Sequence, residues 1–332
     1  MTFLLPTTQQ ARAGLRAIKT TLLSAGEIDA TQREALAAVQ KHLLRTDIDI
    51  DALEPITPED LAIAVQDHAL RDQLVNALVT FTMLGEHVDP RHADSVDAYA
   101  DALGVAPTAV RQLRSLAERR MLLLRFDTTR KGPGPAGIRR TYEINGLVGT
   151  LKNLMGFAGI GENPEIAARY RALSSYAEGT LGRALFDFYT TRGFAFPGER
   201  GGAPEGLLNH DLCHVLGGYD TDIAGEGRVL AFQAGFERQN PFGTLLFILV
   251  QGQHGVRLTP LAAAYDGFLQ TPHLVSDMVE ALARGNRVNI DLMNGWDYWS
   301  VMHEQVSDLR KRYGISDPPA AKAPQAMMTA GA

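Results

Sequence analysis

A chain of 332 residues that is 45% hydrophobic can bury a large core, and its length makes two domains the natural expectation. Its 32 basic and 38 acidic residues leave a net charge of −6, and no cluster of Lys and Arg marks a surface that tracks nucleic-acid phosphates, so nucleic acid is excluded as a partner. One cysteine, Cys213, rules out an internal disulfide and a thiolate cage and points to a reducing compartment. No apolar run reaches the roughly 18 residues that a spanning helix requires. The expectation is a cytoplasmic protein, soluble or resting on the inner face of a membrane.

The first helix is the one place where a leader peptide is an alternative, because residues 1–26 carry Arg12, Arg16 and Lys19 but no acid. Leu15, Ile18, Leu22 and Leu23 recur at helical spacing and run straight into the following elements, which favours a structural helix. Amphipathic periodicity predicts helices at 8–24, 30–45, 57–68, 69–84, 90–104 and 106–119, with Thr57 and Pro58 forming a helix start. Within this bundle "GEIDATQREALAAVQKHLL" from Gly26 is echoed by "GEHVDPRHADSVDAYADALG" from Gly85, the pattern of a duplicated helix-loop-helix unit. Residues 5–120 resemble the tellurite-resistance TerB-like domain, whose two halves each carry such a loop. The family's acid before the glycine is replaced here by Ala25 and Leu84, so the acids that remain read as helix caps and solvated faces. The segment is expected to pack or to dock partner proteins.

Residues 121–144, "MLLLRFDTTRKGPGPAGIRRTYEI", break the helical pattern with two β-prone runs around a Gly-Pro-Gly-Pro stretch. They predict a short hairpin or a linker, and the domain boundary is placed there. Helices are predicted again at 145–158, 163–176, 179–192, 205–217, 225–239, 242–252, 259–270, 273–285 and 296–313. The tail 316–332 has no apolar period and reads as disordered. The fold class expected is all-α: a helical bundle over 1–120, then a larger helical metal-binding domain over 145–315. The glycines at 156–164 follow no convincing strand, which argues against a dinucleotide site.

The chemistry concentrates in "LLNHDLCHVLGGYDTDIAGEG", residues 207–227. On a helix each step turns about 100°, so His210, Asp211 and His214 fall within one arc while Cys213 points elsewhere. Two imidazoles at i and i+4 with a carboxylate between them can converge on one divalent cation. Gly217 and Gly218 end the helix, and Glu226 can return on the next one as a fourth ligand, with Asp220 and Asp222 as competitors for that place or as turn formers. The nitrogen and oxygen donors suit zinc, iron or manganese.

His210-Asp211-x-x-His214, eleven residues, then Glu226 resembles the metal motif of the coenzyme Q biosynthesis protein 4 family. "EGTLGRALFDFY" before it and "WSVMHEQVSDLRKRYGI" after it are similar to the family's flanking helices, and the likeness covers about 145–315. It implies an all-helical domain, one divalent metal usually taken as zinc, a channel for a polyprenyl chain and a homodimer associated with membranes. It also implies work on the quinone head-group ring, either as a scaffold or by oxidative decarboxylation at ring carbon 1. The bundle in front is no part of the usual family protein, which widens the expected substrate to other lipophilic aromatic acids.

Three further readings complete the expectation. The apolar run "NPFGTLLFILVQG" at 240–252, with Phe186, Phe188 and Tyr189, reads as buried core or as the walls of a lipid slot. His254 and Tyr219 are candidates for proton transfer, and Glu304 and Arg310 for structural pairing. A metal-dependent decarboxylase, a non-catalytic lipid-binding or assembly protein with a structural metal, and a His-Asp hydrolase are the functions that fit. The last is weakest, because His254, His273 and His303 lack partner spacing.

Overall fold

Side-chain caps set where the amino-terminal helices begin. Helix α1 (Thr8–Leu23) starts at Thr7, whose hydroxyl accepts from the Gln10 amide while the Gln10 side chain accepts from the Thr7 amide. The same reciprocal box starts α2 (Ala30–Val39) at Asp29 and Gln32, and α5 (Pro90–Leu103) at Asp89 and His92. One acid of each echoed loop, Asp29 and Asp89, is therefore a helix cap. The loops also meet: Arg91 donates to the Ala25 carbonyl at 3.0 Å, and a side chain on Gly85 would come within 2.8 Å of the Gln32 amide. Between them run α3 (Pro58–Ala64), capped by Thr57, and α4 (His68–Leu84), capped by Asp67, and α6 (Thr108–Ala117) follows.

The computed structural model describes residues 3–131, 138–143, 146, 149–150, 161–258 and 264–317, and among these it is all-α, with isolated bridges at Thr180–Gln305 and His254–Asp266 in place of strands. The predicted helix at 145–158 and the predicted tail lie almost wholly outside the described residues.

The hairpin expected at 121–144 is not what forms. Residues Met121–Lys131 are helix α7, and 138–143 are helical too. The reason is a buried stripe at helical spacing: Leu124, Asp127 and Thr128 pack inward, and Gln112 of α6 donates to the Thr128 hydroxyl at 3.1 Å. Short apolar runs do not separate strand from helix by themselves, and here the inward polar groups fix the period.

The second half contains α8 (Pro164–Arg171), α9 (Leu181–Arg192), α10 (Leu208–Gly217), α11 (Ile223–Phe236), α12 (Pro241–Ile248), α13 (Leu274–Gly285) and α14 (Val306–Tyr313). Helix α12 runs on through a π turn, Leu249–Gln253. Two predicted helices are shorter than expected. Residues 264–267 are not helical, and Phe268–Gln270 forms a single 3₁₀ turn. The expected helix 296–313 is broken before Val306, because the carbonyls of Met302 and Glu304 accept from Gly182 and Leu181 and so satisfy amides at the start of α9. Glu304 pairs with Arg312 rather than Arg310.

The segments expected as separate domains share one continuous apolar core, from Leu15 and Leu36 through Phe232 to Leu309. Polar contacts cross between them: Gln253 donates to the Leu84 carbonyl and the Ser276 amide to Glu34. Helices α11 and α13 approach backbone to backbone at Gly235 and Gly285, which no larger residue would allow. A largely apolar cavity of about 190 Å³ lies between the bundle and α11–α13, lined by Leu15, Ile18, Leu70, Phe242, Leu249 and Met278 among others. The run at 240–252 thus does wall a cavity. Its opposite wall is α1 and α4, and Phe186, Phe188 and Tyr189 instead pack with Phe194 and Phe196.

Glu237, at the end of α11, is raised to about 7 by burial, with the Asp291 charge adding to it and a 2.6 Å bond from Thr244 partly offsetting it. The folded carboxyl keeps its proton above the pH where the unfolded one has lost it, so stability falls as pH rises from the ordinary carboxylate range through about 7. Glu237→Gln is expected to raise the unfolding free energy by on the order of 2 kcal/mol at pH 8 and by less than about 1 kcal/mol at pH 5. Urea titrations of both proteins at the two pH values read the difference.

Candidate metal centre

Helix α10 is anchored by its apolar side. Leu208, Leu212, Cys213 and Leu216 are fully buried, which leaves His210 and His214 on the side that faces α11. Gly218, at φ +72°, ends the helix in the left-handed conformation, and its amide and that of Tyr219 both bond the His214 carbonyl. Asp222 then caps α11 by accepting from Gly225 at 2.6 Å, and this sets Glu226 in the first turn, opposite the histidines.

Three donor atoms converge there. His210 Nε2 lies 3.1 Å from Glu226 Oε2, His214 Nε2 lies 3.4 Å from Glu226 Oε1, and the two Nε2 atoms are 3.2 Å apart. A cation held tetrahedrally by bonds of about 2.0–2.1 Å spaces its ligand atoms about 3.3–3.4 Å apart. The observed spacings match one face of such a tetrahedron. His214 is buried, whereas the side chains of His210 and Glu226 are 28% and 38% exposed, so solvent reaches the cluster on the side of His210 and Glu226. Three protein ligands with one accessible position is the arrangement of catalytic rather than closed structural sites.

The rings are held from behind. His214 Nδ1 lies 3.2 Å from the Tyr219 carbonyl, which can only accept; Nδ1 therefore carries the proton and Nε2 presents its lone pair to the cluster. Gln233, two turns after Glu226 on α11, places its side-chain amide 2.8 Å from His210 Nδ1. With the amide nitrogen facing the ring, His210 Nε2 carries the proton and donates to Glu226. With the amide turned over, Nδ1–H donates to the Gln233 oxygen and frees Nε2 for a cation. The electrostatics favour a positive charge at this point. Burial works against ionisation of both groups, but their mutual hydrogen bond and charge prevail, raising His210 above its ordinary value and lowering Glu226 to about 2.

Of the four expected ligands, His210, His214 and Glu226 come together and Asp211 does not. Asp211 is one 100° step away from His210, and its short side chain turns to α9, where it accepts from the Tyr189 hydroxyl; burial raises its pKa. Asp220 bonds Arg192 and Asp222 caps a helix, both structural roles. Neither proton-transfer candidate reaches the cluster through its side chain. The Tyr219 hydroxyl accepts from Arg284, and only its backbone carbonyl serves His214. His254 Nε2 bonds the Met83 carbonyl at 2.9 Å, joining α12 to the bundle. Arg310 and Arg284 donate to the carbonyls of Val215, Leu216 and Gly217, satisfying the free end of α10.

The residues that sequence reasoning missed are Gln233, Tyr189 in its bond to Asp211, and Arg284. Gln233 left a signal: it is a buried amide in the apolar run "VLAFQAGF", seven residues from Glu226 and hence on the same helix face. Beside the cluster stands an aromatic wall, with Phe188 at 5.6 Å from the His214 ring and a partly exposed Phe194 packed edge-on against Phe188 and Tyr189. Comparison of the chain with models of known protein families, with curated proteins and with solved structures finds no match.

Proposed function

We propose that His210, His214 and Glu226 bind one divalent cation and that the protein is a metal-dependent enzyme of quinone or related biosynthesis, acting on the ring carboxylate of a lipophilic aromatic acid. The convergence of the three donors at 3.1–3.4 Å carries the reading. The open vertex leaves room for a substrate oxygen, and the Phe188, Phe194 and Tyr189 wall supplies faces and edges for an aromatic ring. The likeness to the coenzyme Q biosynthesis protein 4 family supplies the reaction: oxidative decarboxylation, in which the carboxylate would leave as carbon dioxide, one atom of dioxygen would become the ring hydroxyl, and two electrons and two protons from an external reductant would convert the other atom to water. Two histidines and one carboxylate suit iron or manganese for that step, whereas zinc, which has no redox chemistry, fits carboxylate binding or a structural role.

The alternative is a lipid-binding or assembly protein with a structural metal, the TerB-like segment docking other biosynthetic proteins and the chain acting as a homodimer at a membrane surface. The apolar cavity on the far side of α11 from Glu226 favours it. The two part on turnover. Protein loaded in turn with iron, manganese and zinc is incubated with a prenylated hydroxybenzoic acid and a two-electron reductant such as ascorbate under air. Carbon dioxide release and ring hydroxylation with iron or manganese, but not zinc, are the expected result; tight metal binding with an unchanged ring acid under all three ions would leave the binding protein.

A further inference from the structure

The carboxyl end of α10 is closed by two arginines. A helix leaves its last four carbonyls without partners of its own, and here all four are taken: His214 by the amides of Gly218 and Tyr219, Val215 and Leu216 by Arg310, and Gly217 by Arg284 at 3.1 Å. Arg284 reaches across from α13 and is 4% exposed. Its five hydrogen bonds all end on uncharged oxygens, so the cost of burying its charge is not offset by a carboxylate partner. Only one of the five closes the helix end.

The others act on Tyr219 and on the chain that follows α14. The Tyr219 ring folds back over the helix end, where a side chain on Gly217 would come within 2.7 Å of it, and it packs on Phe232 with the Arg284 guanidinium 5.1 Å from its centre. Arg284 also donates to its hydroxyl, which pins the far end of the ring. At the near end the backbone carbonyl of the same residue lies 3.2 Å from His214 Nδ1. The guanidinium is itself held by Ser316 Oγ at 3.2 Å and by the carbonyls of Ser316 and Asp317 at 2.8 and 3.1 Å. A fixed segment thus fixes the arginine, the arginine fixes the tyrosine, and the tyrosine carbonyl faces the ligand ring.

We infer, on the metal reading of His210, His214 and Glu226, that Arg284 is a positioning residue of that centre: through Tyr219 it holds the carbonyl that orients His214, and so sets how tightly the cation binds. Groups behind a metal ligand fix its tautomer and direction and govern affinity in that way. Gln233 does this for His210 by direct contact, whereas Arg284 acts on His214 at one residue's remove. Geometry, not charge, is the means. A lysine in its place has one ammonium, which cannot span Gly217, Tyr219 and the segment at 316–317 together.

The test uses the full chain and two readouts: zinc affinity by titration, and the nitrogen chemical shifts of the His214 ring in the metal-free protein, which report its tautomer. Arg284→Met is expected to lower zinc affinity by about ten- to a hundredfold and to give a mixture of tautomers, with Arg284→Lys no better. Tyr219→Phe, which loses one hydroxyl, is expected to show a smaller loss of the same kind, and the double variant Arg284→Met, Tyr219→Phe to be no worse than Arg284→Met alone. Parent affinity and a single tautomer in folded Arg284→Met overturn the proposal, as does full recovery in Arg284→Lys or a double variant whose losses add. If Arg284→Met does not fold, parent affinity and a single tautomer in Tyr219→Phe overturn it. A parent chain that binds no zinc sinks the metal reading instead, and the tautomer of His214 in the variants then decides its positioning by itself.

Discussion

His214→Ala is expected to weaken divalent-metal binding by more than about a hundredfold, whereas Gln233→Leu weakens it by about ten- to a hundredfold. The ranking follows from position. His214 supplies a donor atom, is buried, and has its tautomer fixed by the Tyr219 carbonyl, so its loss opens the triangle of ligands itself. Gln233 touches no cation; it aligns His210 from behind, and leucine keeps its bulk while removing that hydrogen bond. Isothermal titration with zinc and with manganese measures both. Thermal unfolding with and without metal separates lost binding from lost fold, because metal at about a hundred times its dissociation constant adds about 2.7 kcal/mol to the stability of any protein that still binds it. If His214→Ala binds metal within tenfold of the parent while remaining folded, the cluster is not the site.

Gly285→Ala is expected to cost about 3 kcal/mol or more of stability, a large effect for a single methyl group. A Cβ on Gly285 would overlap the Phe232 carbonyl oxygen, with the Gly235 Cα 3.0 Å away. Both obstacles are backbone, so no side chain can swing aside; α11 and α13 must separate. Because α11 carries Glu226 and Gln233, the same separation is expected to lower metal affinity. The midpoint of a urea titration and the zinc titration should therefore move together. An unchanged midpoint would mean that the two helices do not cross as closely as described.

How much of this was readable beforehand depends on the range of each interaction. Helix starts at Thr7, Asp29, Asp89 and Asp222 are local events, settled by a side chain and an amide two or three residues on, and the i, i+4 placement of His210 and His214 follows from helix geometry alone. The return of Glu226 was also within reach, because glycines end α10 and the connection is short. Asp211 was misplaced by the same local rule: an arc of 100° is wide enough to include it, and only the Tyr189 hydroxyl on another helix decided which way it turned. The helix α7 was misread because its inward groups are polar, so apolar periodicity carried no signal for it.

The sequence by itself determined the helical class, most helix starts and the pair of histidines, since those depend on neighbours within one or two turns of backbone. The tertiary structure alone decided that the bundle and the later helices share one core, that Gly235 and Gly285 bring α11 against α13, and that Gln233 stands behind His210. These are contacts between residues far apart along the chain, and their energy lies in how two surfaces fit, a property that no single stretch of residues carries.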